Sequence, residues 1–277
     1  MDLYPDYVDL ISKNEDAGPC LDAVLDFLTT EYKSWDRLHL SMLSEGSPLV
    51  SRMTDPHSPL AASIKPGSVS PFITFSSDFD QVTNAFVSTL KNNIKRRQRQ
   101  LFEQQGVQYV ACPPSQEAEG LRALFDLHER RAKRKNIVST FKGERLFAFH
   151  SDVAQSIQKH DWMWLRFLKS KNTVIAAFYG FAIGNRVFYY QMGFDPEWER
   201  YSPGMVLMYE VIKEAFSKHY KEFDFLRGGE TYKSLWTQSQ RPLVSVDMYN
   251  NTLRGGFLKA VSRSKQLMKM GVKQLAG

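Results

Sequence analysis

The residues best suited to chemistry lie between Tyr190 and Trp236. Three groups follow one another there: Gly193-Phe194-Asp195-Pro196, then Tyr201-Ser202-Pro203-Gly204-Met205, then Asp224-Phe225-Leu226-Arg227-Gly228-Gly229-Glu230-Thr231-Tyr232-Lys233. The middle group reads as a strand-to-helix entry. Ser202 can cap the helix, and Pro203 can take its first position, where a missing N–H costs least. Gly204 lets a backbone approach a ligand closely. The free N–H groups of such an end, with the helix dipole, suit a phosphate or pyrophosphate. The same residues also make an ordinary capped helix start that binds nothing.

A second charged feature lies upstream. Lys91, Lys95, Arg96, Arg97 and Arg99 fall on one face of a predicted helix, opposite Phe86, Leu90, Ile94 and Leu101. That face suits a polyanion such as tRNA, or is simply solvated. It lacks interleaved aromatics, so stacking on single-stranded nucleic acid has no support. The formal net charge of +6 leans the same way, toward anionic partners.

Composition removes several classes. With 277 residues, 43% of them hydrophobic and 24% charged, the chain can build one large domain or two ordinary ones. Cys20 and Cys112 form no CxxC pair, and the six histidines show no HxxxH or HExxH spacing, so neither a disulfide framework nor a metal site is expected. The acidic start Met1-Asp2-Leu3-Tyr4-Pro5-Asp6 has no apolar signal core. The longest apolar run, Val174 to Ile183, is too short to span a bilayer. The expectation is a soluble, cytoplasmic protein.

The elements that must position these groups follow from periodicity. Leu21, Val24, Leu25 and Leu28 predict a helix over 18–32, and the alternation from Arg37 to Leu43 predicts a strand. Gly46 to Pro71 carries Pro48, Pro56, Pro59, Pro66 and Pro71, and reads as loops with short extended pieces. A helix with Ser77 and Asp80 as a capping box runs to Gly106, followed by a short strand over Val107–Ala111. Leu121, Leu124, Phe125 and His128 stripe a helix over Gln116–Lys135. Leu146, Phe149, Val153 and Ile157 stripe another over Glu144–Lys159. The period then changes. Trp162–Lys169, Thr173–Ile183 and Arg186–Gly193 form an antiparallel meander joined by a Ser170-Lys171-Asn172 turn and a Gly184-Asn185 hairpin. A loop over Phe194–Pro203 leads to a helix over Gly204–His219. A strand over Phe223–Leu226, a short helix over Thr231–Thr237 and a strand over Leu243–Tyr249 complete the pattern. The order implies an α/β (α+β) fold, a mixed sheet with crossover helices packed on it. Gly255–Gly277 is basic and amphipathic, with Phe257, Leu258, Val261, Leu267 and Met268 against Lys259, Arg263, Lys265 and Lys269. It can pack as a final helix or touch an anionic membrane surface.

The motifs of Leu165–Trp236, in this order and spacing, resemble the GNAT-type acetyltransferases linked to cellulose biosynthesis, relatives of the Fem peptidyltransferases. The matching pieces are Gly193-Phe194-Asp195-Pro196, Tyr201-Ser202-Pro203-Gly204, Asp224-Phe225 and Gly228-Gly229-Glu230-Thr231-Tyr232-Lys233. The upstream helix with Asn93, Lys95, Arg96, Arg97 and Arg99 resembles the family's arginine-rich helix, so the likeness spans most of 85–240. It implies a GNAT-like mixed sheet whose two central strands splay to admit an acyl carrier. It also implies a partial N-terminal GNAT-like region over 1–105, an acyltransferase domain over 106–250 and a basic C-terminal helix or tail over 251–277.

The resemblance further implies that acetyl-CoA, or a longer acyl-CoA, binds with its pyrophosphate at Ser202, Pro203, Gly204 and Met205. The acyl group passes directly to an amine on a small molecule, amino acid or glycan precursor. The amine must lose a proton, the thioester oxygen needs a hydrogen-bond donor, and the thiolate needs an acid. Tyr232 is assigned as the acid, Glu230 or Asp224 as base or amine anchor, and Lys233 with Gln191 as substrate-binding residues. Each also has a structural reading: packing for Tyr232, a solvated helix start for Glu230 and Lys233, a strand-edge hydrogen bond for Asp224. The phosphate loop departs from the superfamily's Gln/Arg-x-x-Gly-x-Gly/Ala in spacing and lacks the second glycine. Two rivals therefore stand beside the acyl-CoA reading: a Fem-like transferase using aminoacyl-tRNA, and a non-catalytic scaffold with a GNAT fold. An incomplete first half also leaves room for self-association through an unpaired strand edge.

Overall fold

The computed structural model describes residues 6–275 apart from positions 56, 59 and 140. The elements run α1 (Ala17–Asp26), β1 (Arg37–Ser44), α2 (Pro48–Met53), β2 (Ala61–Thr74), α3 (Phe79–Asn84), α4 (Ser88–Gln98), β3 (Val107–Ala111), α5 (Glu117–Lys135), α6 (Glu144–Ile157), β4 (Met163–Ser170), β5 (Thr173–Ile183), β6 (Arg186–Phe194), α7 (Pro203–Ser217), β7 (Glu222–Asp224), β8 (Gln240–Tyr249) and α8 (Leu253–Leu275). They divide into two compact units. One is the continuous stretch Ser70–Gln240. The other combines the chain before Ser70 with the chain after Gln240.

In the continuous unit the strands stand in the order β2-β7-β6-β5-β4-β3, with the end of β2 at one side. β3 through β6 are antiparallel neighbours, while β6 and β7 are parallel. A parallel pair needs a crossover, and α7 supplies it. The mixed sheet with an antiparallel meander expected from the sequence is therefore present. One core lies on the α7 face, around Leu168, Phe178, Val187, Val206, Leu207, Val211 and Phe223. The other lies under α5 and α6, around Leu121, Leu124, Phe125, Phe141, Leu165 and Tyr179. Burying each of these side chains contributes about 1.5–3 kcal/mol. Inside the frame, Arg166 of β4 grips Glu214 of α7 with two 2.8 Å hydrogen bonds, and Tyr109 of β3 donates to the same carboxylate. Burial alone would raise this carboxyl, but Arg166 and Tyr109 hold it down at about 2.

In the discontinuous unit β8 pairs antiparallel with β1. Leu21, Leu25, Leu43, Val50, Met53, Val246 and Met248 form its core. Asp247 is 1% exposed and accepts from Arg37 (2.6 Å), His39 (2.7 Å) and Lys65 (2.6 Å), which ties β1, β8 and the first part of β2 together. Burial pushes its carboxyl up, and the three basic groups more than reverse this, to about 2.

Four expectations need correction. The single helix expected from Ser77 to Gly106 is broken into α3 and α4 between Asn84 and Ser88, and its cap is Asp78, whose side chain accepts from Asp80 N–H. The stretch Gly46–Pro71 is not mostly loop: it holds α2 and most of the fourteen-residue β2. Pro71 is tolerated because it lies one residue outside the β2–β7 register and uses its carbonyl, which accepts from Phe225 N–H. Pro56 and Pro59 lie outside the described residues. The buried face of α6 is turned from the expected one. His150 and Ala154 are buried, whereas Phe149 is 57% exposed. Lastly, the short helix over Thr231–Thr237 is a single tight turn at Lys233–Leu235. The tail does form a helix, α8. The side chains of Leu267 and Lys269 and residues 276–277 lie outside the described part, as do residues 1–5 of the acidic start.

Candidate functional site

β6 is nine residues long but pairs with β7 only at Arg186, Val187 and Phe188. On its other side it stays paired with β5 as far as Phe194. β7 ends because its chain keeps to β2: Phe225 N–H donates to the Pro71 carbonyl. The backbone then turns through Leu226, a non-glycine residue at φ 57. The pairing thus ends at Phe188, where β7 itself ends, and β6 runs on without a β7 partner. β6 also carries an extra residue, because Tyr179 faces Gln191 while Gly180 faces Tyr189. Such a bulge re-aims side chains. Gly180 is required beside it, since a Cβ there would meet the Phe188 carbonyl oxygen at 2.3 Å.

The turn after β7 is fastened from inside. Asp224 is fully buried, and its Oδ1 accepts from Ser70 Oγ (2.9 Å) and from Leu226 N–H (2.7 Å). Lys233 is 3% exposed. Its Nζ donates to the Arg227 carbonyl at 2.8 Å and pairs with Glu230 Oε2 at 2.9 Å. The Glu230 carboxylate lies against Gly228, which takes φ 111, and a Cβ on Gly228 would meet Glu230 Oε2 at 2.4 Å. Asp224 and Lys233 therefore spend their hydrogen bonds on the turn, and Glu230 keeps an exposed side as well as the Lys233 contact. The turn delivers Tyr232 to Tyr189 of β6, with the two hydroxyls hydrogen-bonded. Burial, then the neighbouring Tyr189, push the Tyr232 phenol well above its ordinary value. It keeps its proton at neutral pH and stands as a hydrogen-bond donor at this point.

At the far end of β6 the chain turns through Asp195, whose side chain accepts from Glu197 N–H and from Arg130 of α5. Ser202 takes a left-handed conformation, φ 51, and its side chain makes no capping bond, so the expected serine cap is absent. Its carbonyl instead receives the N–H groups of Met205 and Val206. Pro203 has the first helical position as expected. Gly204 is packed on β6: a Cβ would lie 3.3 Å from Phe194 Cδ1 and 3.4 Å from Met192 Cε. The start of α7 thus abuts the end of β6 that has no β7 partner. Gln191 accepts from Met192 N–H through Oε1 at 3.1 Å.

Two residues of α5 join this neighbourhood without having been assigned a role. Arg131 holds its guanidinium 5.1 Å from the Phe194 ring centre, and its charge acts on both Tyr189 and Tyr232. It has no carboxylate partner among the described residues. His128 lies against Gly193 of β6 with its Nε2 buried and unpaired among the described residues, and burial and then Arg131 push its imidazole down to about 4, so it is neutral. The signal was present in the helical stripe Leu124, His128, Arg131, which ends a buried face on a cation. Among the described residues no group of three or more His, Cys, Asp or Glu is arranged to hold a metal ion, and no helix is long and apolar enough to cross a membrane.

Comparisons with known proteins place the fold. FemX superposes with a TM-score of 0.64 at 10% identity, over 88% of this chain and 80% of the other. The C-terminal domain of a protein assigned as a lysylphosphatidylglycerol synthetase, from Agrobacterium fabrum, gives 0.60 at 13% identity, over 92% and 80%. L-PGS from Bacillus licheniformis gives 0.59 at 12% identity, over 91% and 79%. At these identities the likeness is one of fold. No curated protein matches in sequence. Residues 88–234, more than half of the chain, match the family described as Acetyltransferase (GNAT) domain, and the chain belongs to that family.

Proposed function

We propose that the chain is an N-acyltransferase that moves an acyl group, most simply acetyl, from acyl-CoA to an amine. The observation that carries the reading is the stretch of β6 beyond Phe188 that has no β7 partner, with Tyr232 set beside it. A thioester threaded there has its anionic end toward Ser202, Pro203, Gly204 and Met205, where the helix dipole favours it. Met192 N–H, now held by Gln191, is a donor for the acyl oxygen. The neutral amine attacks the carbonyl carbon, the C–S bond breaks, and Tyr232 donates a hydrogen bond to the departing thiolate. Glu230, with its exposed side, takes the amine's proton directly or through water. Asp224 and Lys233 hold the turn that presents Tyr232 and Glu230. The acceptor is an amine on a sugar, amino acid or cell-envelope polysaccharide precursor, in keeping with the cellulose-linked likeness of the motifs.

A second reading, aminoacyl transfer from aminoacyl-tRNA, is favoured by the fold likeness to FemX over 88% of the chain and by the departing phosphate loop. Thermal unfolding with acetyl-CoA, CoA or bulk tRNA separates the two. A ligand at a hundred times its dissociation constant adds about 2.7 kcal/mol, a shift of a few degrees. A shift with acetyl-CoA supports the first reading. A shift with tRNA alone replaces it with the second, and no shift with any of them leaves a non-catalytic scaffold.

A further inference from the structure

The segment after Arg131 gathers cations around exposed apolar side chains. Between Lys133 and His150 the chain carries Lys133, Arg134, Lys135, Lys142 and Arg145 against one acid, Glu144. Glu144 is committed to Arg122 at 2.8 Å. The five basic side chains are exposed and have no carboxylate partner among the described residues. Between them the α5–α6 connection presents two neighbouring aliphatic side chains to water, Ile137 at 61% and Val138 at 75% exposure. Asn136, left-handed at φ 52, ends α5 just before them. Phe141 plugs the other end of the connection into the core under α5 and α6. On α6, Phe149 stands four residues after Arg145, on the same helical face, and is also exposed.

Neighbouring exposed apolar groups are a cost unless something covers them. Here the charge identifies the cover. An apolar tip ringed by unpaired cations complements a surface that is apolar inside and anionic at its face, which is an anionic phospholipid bilayer. A nucleic acid would use the cations and leave Ile137 and Val138 in water. We propose that the α5–α6 connection docks on an anionic membrane, with Ile137 and Val138 entering the headgroup boundary and Lys133, Arg134, Lys135, Lys142 and Arg145 meeting lipid phosphates. The root of this connection is held beside the β6–α7 corner by Arg130 and Arg131. Docking therefore presents that corner to membrane-borne molecules, whatever acyl donor the protein uses.

The experiment is co-sedimentation of the full chain with vesicles of phosphatidylcholine, with and without phosphatidylglycerol. Binding is expected only to the vesicles containing phosphatidylglycerol. The Ile137→Ser/Val138→Ser double variant should bind them about tenfold more weakly, with an unchanged circular dichroism spectrum, because both side chains are exposed. Lys133→Gln/Arg134→Gln/Lys135→Gln should weaken binding by roughly a hundredfold. The rival surface is α8, where Phe257 is 66% exposed. Phe257→Ser should leave binding intact. Absence of vesicle binding overturns the proposal, as does full binding by the Ile137/Val138 variant or loss only in Phe257→Ser. Tight binding of bulk tRNA that depends on the three cations, without vesicle binding, assigns the surface to a polyanion instead.

Discussion

The two sides of β6 differ in kind. Toward β5 the strand is paired along its length through eight register positions, and Arg166, Glu214 and Tyr109 lock neighbouring elements from within. Toward β7 it is paired at three positions and then open, and the groups at the opening are phenols, a guanidinium and a helix start. The closed side spends its charges on itself, whereas the open side leaves Tyr232 and Arg131 uncommitted to any carboxylate among the described residues. The locked side and the side proposed for chemistry are thus divided across one strand, and each half can be tested against the other.

The largest effect belongs to the closed side. Glu214→Ala strands the buried Arg166 and should lower unfolding free energy by about 3 kcal/mol in a urea titration. The same carboxyl predicts an acid limb. It sits near 2 when folded and near 4.5 when unfolded, so its stabilisation is complete above pH 4.5 and is lost as the pH falls toward 2. Glu214→Gln should flatten that part of the melting-temperature profile. A profile identical to the parent's would mean the pair contributes nothing.

Next come the residues of the open side, which should change rate or affinity and leave the fold alone. Tyr232→Phe should lower kcat for acyl transfer on the order of a hundredfold, with stability changed by about 1 kcal/mol or less. An unchanged kcat removes Tyr232 as the donor to the thiolate. Arg131→Ala should raise the KM of an anionic substrate about tenfold while kcat moves little, with partial recovery in Arg131→Lys. A fall in stability instead would place Arg131 in the frame. The smallest effect is again on the closed side. His219 is exposed and left-handed, φ 62, just past α7. His219→Gly should stabilise by roughly 1 kcal/mol, and a destabilised variant would show that its side chain is needed.

Much of the frame was legible because its signals are local. The meander from Met163 to Phe194 follows from alternation and from the turns at Lys171 and Gly184, both at positive φ. The stripe Leu121, Leu124, Phe125 predicted α5 and its buried face. What failed depended on partners distant in sequence. β2 was hidden by its prolines, since only the position of β7 shows that Pro71 needs no N–H. Asp224 and Lys233 look like catalytic groups in a motif. Their commitments run to Ser70, 154 positions away, and to carbonyls exposed by the turn at Leu226. Phe149 was placed inward because one residue's rotation of a helical stripe is hard to fix when His150 is as apolar in its surroundings as the phenylalanines around it.

The order of elements along β2 and β8 also sets a timetable. The unit bounded by Ser70 and Gln240 is one uninterrupted stretch of chain, whereas the other needs Arg37 to meet Tyr249 across more than two hundred residues. A ribosome releases the chain from one end, so β1 must wait, unpaired along the side that β8 will take, until β8 has emerged. During that interval the inserted unit can already be folded. Its collapse also shortens the gap that the two flanking segments must close, so the late pairing of β1 with β8 begins from ends held close together rather than from a free loop.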